Sequence, residues 1–220
     1  VGSRMMRHLN RMGIYTIGDL ARTPLAALKR RWGINGEVLW RIAHGIDDSK
    51  VEPGTHEGAQ QAIGHGMTLP RDYAEASEIE TVLLELSEEV CRRCRSRGVM
   101  GRVLWVGATG AGFESGFFRQ TTLPMPTQAT NHVYAAAKEL FRRHWNGRPV
   151  RRVSVALGGL SRDDVYQLEF GDEREKYRAL ERTTDAIKAR YGPSALVRAV
   201  SAGKAGQAYG RAAKIGGHYK

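Results

Sequence analysis

The chain has 220 residues, 41% of them hydrophobic and 26% charged. That composition supports one sizeable domain or two small ones and excludes wholesale disorder. The formal charge of +11 at neutral pH favours polyanionic partners, and no run of about twenty apolar residues exists to span a membrane.

The chain opens at Val1-Gly2-Ser3-Arg4 without a Met or a signal-peptide pattern, which reads as a segment cut from something longer. Short helices come first. Residues 4–12 form one, stopped by Gly13. Thr16 with Asp19 is a capping-box pattern opening the next. Thr23-Pro24 starts a third, with Thr23 as N-cap and Pro24 in the first turn, and Gly33 ends it. Residues 37–43 add a turn or two before Gly45. Residues 1–47 therefore read as a small helical region, and the polar stretch 48–60, with Pro53, Gly54 and Gly58, as a linker.

Residues 61–69 alternate as a strand, with Ile63, His65, Met67 and Leu69 on one side, and Pro70-Arg71-Asp72 reads as a turn. Residues 77–97 make a long amphipathic helix, acidic early and basic late. Residues 99–109 and 117–123 flank the Gly-rich turn 110–112 as a hairpin, with Pro124 and Pro126 breaking the second strand. Residues 128–145 are a second amphipathic helix, and 150–157 a last strand closed by Gly158-Gly159. Strand, helix, strand, strand, helix, strand is the split βαβ order. The fold class is α+β: a small helical region, then one four-stranded sheet over residues 61–161 with both helices on one face. Residues 162–220 hold a charged helix at 172–191, anchored by Leu180, Ile187 and Tyr191, and a basic tail expected to be mobile.

Charge is placed unevenly. Residues 67–90 carry seven acids against Arg71, and residues 91–152 carry twelve Lys/Arg against Glu114 and Glu139. Nucleotidyl transfer needs carboxylates that hold two metal ions. Asp47-Asp48 and Asp163-Asp164 lie in polar turns that do not fix them for that task, so the sequence offers no active site. Cys91 and Cys94 match a C-x-x-C spacing, but near a helix C-terminus the dipole disfavours a thiolate, and no further zinc ligands stand close by. The two cysteines form no disulfide framework and suit a reducing cytoplasm.

A nucleic-acid grip is the better-supported reading. Gly2, Ser3 and Arg4 precede and open the first helix as an amide cradle for phosphate. Arg102, Arg119, Arg151 and Arg152, with Arg148 nearby, lie in or beside the strands and read as phosphate clamps on an uncovered sheet face. Gly64 and His65 on the first strand join this set. Such contacts position DNA without reading bases.

The stretch from Gly2-Ser3-Arg4 through Leu9-Asn10-Arg11-Met12-Gly13-Ile14-Tyr15-Thr16-Ile17-Gly18-Asp19 resembles the thumb of Y-family translesion DNA polymerases of the DinB/UmuC type. Ile63-Gly64-His65-Gly66-Met67-Thr68-Leu69 resembles the opening strand of that family's little finger, and Lys214 to Lys220 resembles the tail of Bacillus-type UV-damage repair members. The resemblance implies a thumb and little finger that grip primer–template duplex, in a protein of DNA repair and SOS damage tolerance. The family's catalytic acids, and the Mg²⁺ they hold, belong to a palm that this chain lacks. The segment then has no cofactor of its own and no activity alone. Tyr166-Gln167-Leu168-Glu169-Phe170 stands where the family carries a sliding-clamp motif, one leucine short, so Gln167, Leu168 and Phe170 are the implied clamp contacts. Two other readings are an RRM-like module for single-stranded RNA and a protein-interaction domain acting through Leu168 and Phe170. The RRM reading is opposed by a first strand, 61–69, without an aromatic residue.

Overall fold

The computed structural model describes residues 1–50, 61–112, 115–164, 174–215 and 218–219. Its contacts fall into two compact units, Val1–His56 and Glu57–Lys220.

The first unit holds four helices: α1 (Ser3–Asn10), α2 (Ile17–Arg22), α3 (Leu25–Trp32) and α4 (Ile34–Ala43). Helices this short are marginal alone. They share a small core of Leu9, Ile14, Leu20 and Leu28, with Met5, Trp32, Leu39 and Trp40 packed around it. The capping box is formed: Thr16 Oγ1 accepts from the Asp19 amide, and the Asp19 carboxylate accepts from the Thr16 amide. The Thr23-Pro24 expectation shifts by one position. Pro24 is the cap of α3, while the Thr23 hydroxyl donates to the Asp19 carbonyl and closes α2. Helix α4 starts at Ile34, earlier than expected, directly behind Gly33 at φ 58°. A Cβ on Gly36 would sit 2.2 Å from the Leu28 carbonyl oxygen, so glycine there lets α3 and α4 touch backbone to backbone.

The second unit is a sheet with two helices on one face. Strands β1 (Ala62–Tyr73), β2 (Val99–Thr109), β3 (Gly116–Thr127) and β4 (Val150–Gly158) lie in the order β1-β4-β2-β3, all antiparallel to their neighbours. A two-residue strand, β5 (Ser161–Arg162), pairs with the start of β2. Helices α5 (Ala76–Ser96) and α6 (Thr130–His144) cover one face. Ile79, Val82, Leu83, Leu86, Val133 and Phe141 meet Ile63, Leu104, Val106, Val153, Val155 and Leu157 in one core.

Two expected breaks are absent. β1 runs on through Pro70-Arg71-Asp72, and β3 through Pro124 and Pro126. Both are edge strands, and an edge tolerates a residue that cannot donate to the ladder. The cost appears in the pairing: residues 69–72 of β1 face only Arg151, and residues 123–126 of β3 face only Arg102.

The described residues 174–212 are also a correction, because they are docked on this unit rather than trailing from it. Helix α7 (Arg174–Tyr191) leaves Leu180 and Tyr191 more than half exposed and attaches through charge instead. Arg95 binds Glu181 and Asp185, and Arg178 binds Asp163 at 2.7 Å. A 3₁₀ turn at Ala199–Ala202 and helix α8 (Ala208–Ala212) follow. The buried Glu85 carboxylate of α5 accepts from the amides of Gln207 and Ala208, and the Tyr73 hydroxyl donates to the Ala205 carbonyl. Residues Lys214–Ile215 (β6) and His218–Tyr219 (β7) pair as a small ladder. The acids of α5 are the complement: Glu88 meets Lys188 and Arg198, while Glu80 meets Lys138 and Arg142.

Candidate nucleic-acid interface

Alternation assigns each strand residue to one face. On the face away from α5 and α6 the register builds four cross-strand rows. They are Thr68–Arg152–Thr109–Gly116, then Gly66–Ser154–Gly107–Phe118, then Gly64–Ala156–Trp105–Gln120, then Ala62–Gly158–Val103–Thr122. The floor is made of small residues, and two aromatic rings lie on it. A Cβ on Gly158 would meet the Trp105 ring at 2.3 Å, and one on Gly107 would meet the Phe118 ring at 2.9 Å. The Trp105 indole N–H donates to Gln120 Oε1 at 2.6 Å, which fixes the ring in place.

The four strand arginines do not share this face, which corrects the expectation. Arg152 lies on it, exposed, and makes no ion pair among the described residues. Arg119 pairs with the buried Val106 and alternates with Phe117, which packs near Phe141, so it projects along the helix-covered side at the exposed edge of β3. Arg151 is turned to Asp72 on β1, at 3.3 Å. Arg102 sits opposite the β3 irregularity and donates to the Leu123 carbonyl. Extra residues in one strand re-aim the side chains opposite them, and Arg151 faces residues 69–72 of β1 as Arg102 faces residues 123–126 of β3. Arg148, in the loop before β4, is exposed.

Gly64 lies on the open face, but His65 does not. His65 is half-buried on the helix side, and burial, followed by the charges of Arg93 and Arg211, holds its pKa below the ordinary histidine value. On the same side, Glu89 is bound by Arg92 and Arg93. Burial alone would raise its pKa, but these two guanidinium groups outweigh it and bring it down to about 2.

In the helical unit, Gly2 is the N-cap of α1 with extended backbone, its carbonyl accepts from the Met6 amide, and no acid stands in the first turn. Arg4, Arg7, His8 and Arg11 line one surface depression on this helix. Arg7, His8 and Arg11 escaped the sequence reading, although their spacing from Arg4 (i, i+3, i+4, i+7) is that of one helix face. Trp105 was also missed, while Phe118 stands in the stretch Gly116-Phe117-Phe118, which faintly resembles an RRM aromatic strand motif. The signal lay in the strand period, since Leu104 and Val106 point to the core and their neighbours point away.

Asp163 is not a solvated turn residue: its half-buried carboxylate accepts from Gln128 and Arg178. Asp47 is held by Ser49, and Asp48 by Arg41. Among the described residues no three His, Cys, Asp or Glu side chains converge as metal ligands. Cys91 and Cys94 are both buried. Burial pushes the Cys94 thiol up to about 11 and the Cys91 thiol higher than usual as well, which makes both poor nucleophiles. Gln167, Leu168 and Phe170 lie outside the described residues. Among the described residues no helix is long and apolar enough to cross a membrane.

A helical unit followed by an antiparallel sheet with one open face is the architecture that the comparisons assign to a class of DNA polymerase domains. Residues 1–47 match the DNA polymerase-iota thumb domain, and residues 60–170 match the impB/mucB/samB family C-terminal domain. The chain belongs to this family, that of the Y-family DNA polymerases. It is 56% identical over its whole length to DNA polymerase IV 2 of Bacillus subtilis, covering 54% of that protein. It is 42% identical to the putative UV-damage repair protein UvrX of the same organism, over 99% of this chain and 53% of that one. It is 40% identical to the B. subtilis DNA repair protein homolog YobH, over 67% of this chain and 69% of that one. The chain thus spans about half the length of the first two.

Proposed function

We propose that this chain is the duplex-holding half of an error-prone translesion polymerase, and that it holds primer–template DNA by its phosphates. The observation that carries the reading is an exposed Arg152, without an ion pair among the described residues, on an uncovered sheet face in a chain of the thumb and little-finger type. The basic side of α1, headed by the free amides after Gly2, is the second phosphate contact. Arg148 is exposed as well, in the loop before β4, whereas Arg119, at the edge of β3, lies on the other side of the sheet. Bases are left unread by these groups, which suits synthesis across damage.

Chemistry belongs to the rest of the parent polymerase, whose palm carboxylates hold Mg²⁺. The chain works in the cytoplasm, with DNA as its partner. Gln167, Leu168 and Phe170 supply a shortened contact to a sliding clamp, and the flanks of that stretch are joined by the Asp163–Arg178 ion pair.

The test is paired. Pure chain is mixed with a labelled primer–template, and both binding and primer extension are followed. Binding without any nucleotide incorporation is the expected result. Extension by the pure chain, or no binding at low salt, overturns the proposal.

A further inference from the structure

The phosphate contacts leave the two aromatic rings of the open face unused. Phe118 is 61% exposed although its ring rests on the backbone of Gly107, so the face of the ring turned away from the sheet is free. Trp105 lies across Gly158 in the same way and is fixed by Gln120. The two sit on neighbouring strands one row apart, since Trp105 pairs with Gln120 and Gly107 pairs with Phe118. An exposed aromatic in a row of Gly, Ser and Gly is not an accident of packing: it has a floor beneath it and no neighbour above.

We infer that Phe118, with Trp105 beside it, is a stacking platform for an unpaired base of single-stranded DNA next to the duplex. This rests on the DNA-holding reading and adds to it a second class of contact. Aromatic rings laid flat on a sheet stack bases regardless of sequence, because every base has a π-face. Charge selects the occupant. Arg152 stands one row away and two strands over, a separation of about 12 Å from strand spacing and rise, within reach of the phosphates flanking a stacked base. A duplex presents its bases edge-on and already stacked, so it cannot use a flat ring in this way. A neutral protein strand laid on the face would leave Arg152, the one charged side chain of its four rows, without a counterion. Residues 62–69 of the first strand carry no aromatic residue, and the rings come from β2 and β3.

The experiment compares four DNAs bound to the whole chain: a blunt duplex, the same duplex with a single-stranded overhang, that overhang made of abasic sites, and the overhang strand alone. Abasic sites keep the phosphates and remove the bases. The wild-type chain is expected to prefer the overhang with bases over the abasic one by about tenfold, the usual worth of one stacked base. Phe118→Ala is expected to abolish that preference, and Phe118→Tyr to keep it. Thermal melting confirms that the variants are folded. No preference for bases in the wild type, or a preference that survives in Phe118→Ala, overturns the inference. So does an equal loss on blunt and overhang DNA, which would mean a duplex contact. Failure of the blunt duplex to bind would instead count against the DNA-holding reading, while the strand alone still reports on the platform.

Discussion

Arg95 grips Asp185 with two hydrogen bonds, Nε to Oδ2 at 2.6 Å and Nη2 to Oδ1 at 3.1 Å, and thereby ties α5 to a helix ninety positions further along the chain. The same guanidinium reaches Glu181 at 2.8 Å and the Gln128 carbonyl at 2.9 Å, and its side chain is only 9% exposed. Removing one partner of such a cluster leaves the carboxylates uncompensated. Arg95→Ala is expected to cost about 3–5 kcal/mol, measured by urea unfolding, and to raise hydrogen exchange throughout α7. A loss below about 1 kcal/mol, the range of a surface pair, would show that α7 is held by something else.

Gly158 is predicted to be as demanding as a core residue although it lies on an open face. Any Cβ there meets the Trp105 ring at 2.3 Å. Gly158→Ala forces the indole to lift and break its bond to Gln120, at a cost of about 1–3 kcal/mol. The readouts are the unfolding midpoint and the tryptophan emission maximum. Gly112, in a turn with open space around it at φ 78°, is the control, where only the backbone cost is expected.

His65 gives a pH signature. Its folded pKa is lowered, chiefly by burial, so the unfolded chain takes up the proton first as pH falls. The stability it contributes is complete above the ordinary value of 6.5 and is lost as pH drops through the folded pKa. A titration of the ring protons by NMR should place the His65 midpoint below 6.5. His65→Gln should flatten the stability curve across that window. A midpoint at or above the ordinary value would contradict its half-buried place between Arg93 and Arg211.

The basic side of α1 is testable by charge removal. Arg7→Ala and Arg11→Ala are expected to weaken duplex binding equally for all sequences. Each is also expected to reduce the slope of log K against log salt by about one for every phosphate that is no longer neutralised. Unchanged slopes would remove α1 from the interface.

Much of the fold is legible in the alternation of residues. Leu104, Val106 and Ala108, or Val153, Val155 and Leu157, announce a sheet with one buried side, and the run Ile79, Val82, Leu83, Leu86 announces the helix that covers it. What escaped is what neighbouring strands decide. Pro70, Pro124 and Pro126 look like breaks until their strands prove to be edges. Arg119 has the parity of Phe117 and Leu123, which does place it on the helix side, but Arg102 and Arg151 stand beside register shifts that no period reveals. The docking of residues 198–212 depends on a buried carboxylate, Glu85, meeting backbone amides more than a hundred residues away, and amides carry no sequence signal.

The central claim is that the duplex is held by its phosphates, not by base edges or apolar surface. The most direct measurement is duplex affinity across a range of salt concentrations, for two unrelated sequences, with wild type and Arg152→Ala. A steep linear fall of log K with log salt, the same for both sequences and shallower by about one for Arg152→Ala, is the predicted result. Affinity that stays level from low to high salt, or that follows the sequence, would contradict the account.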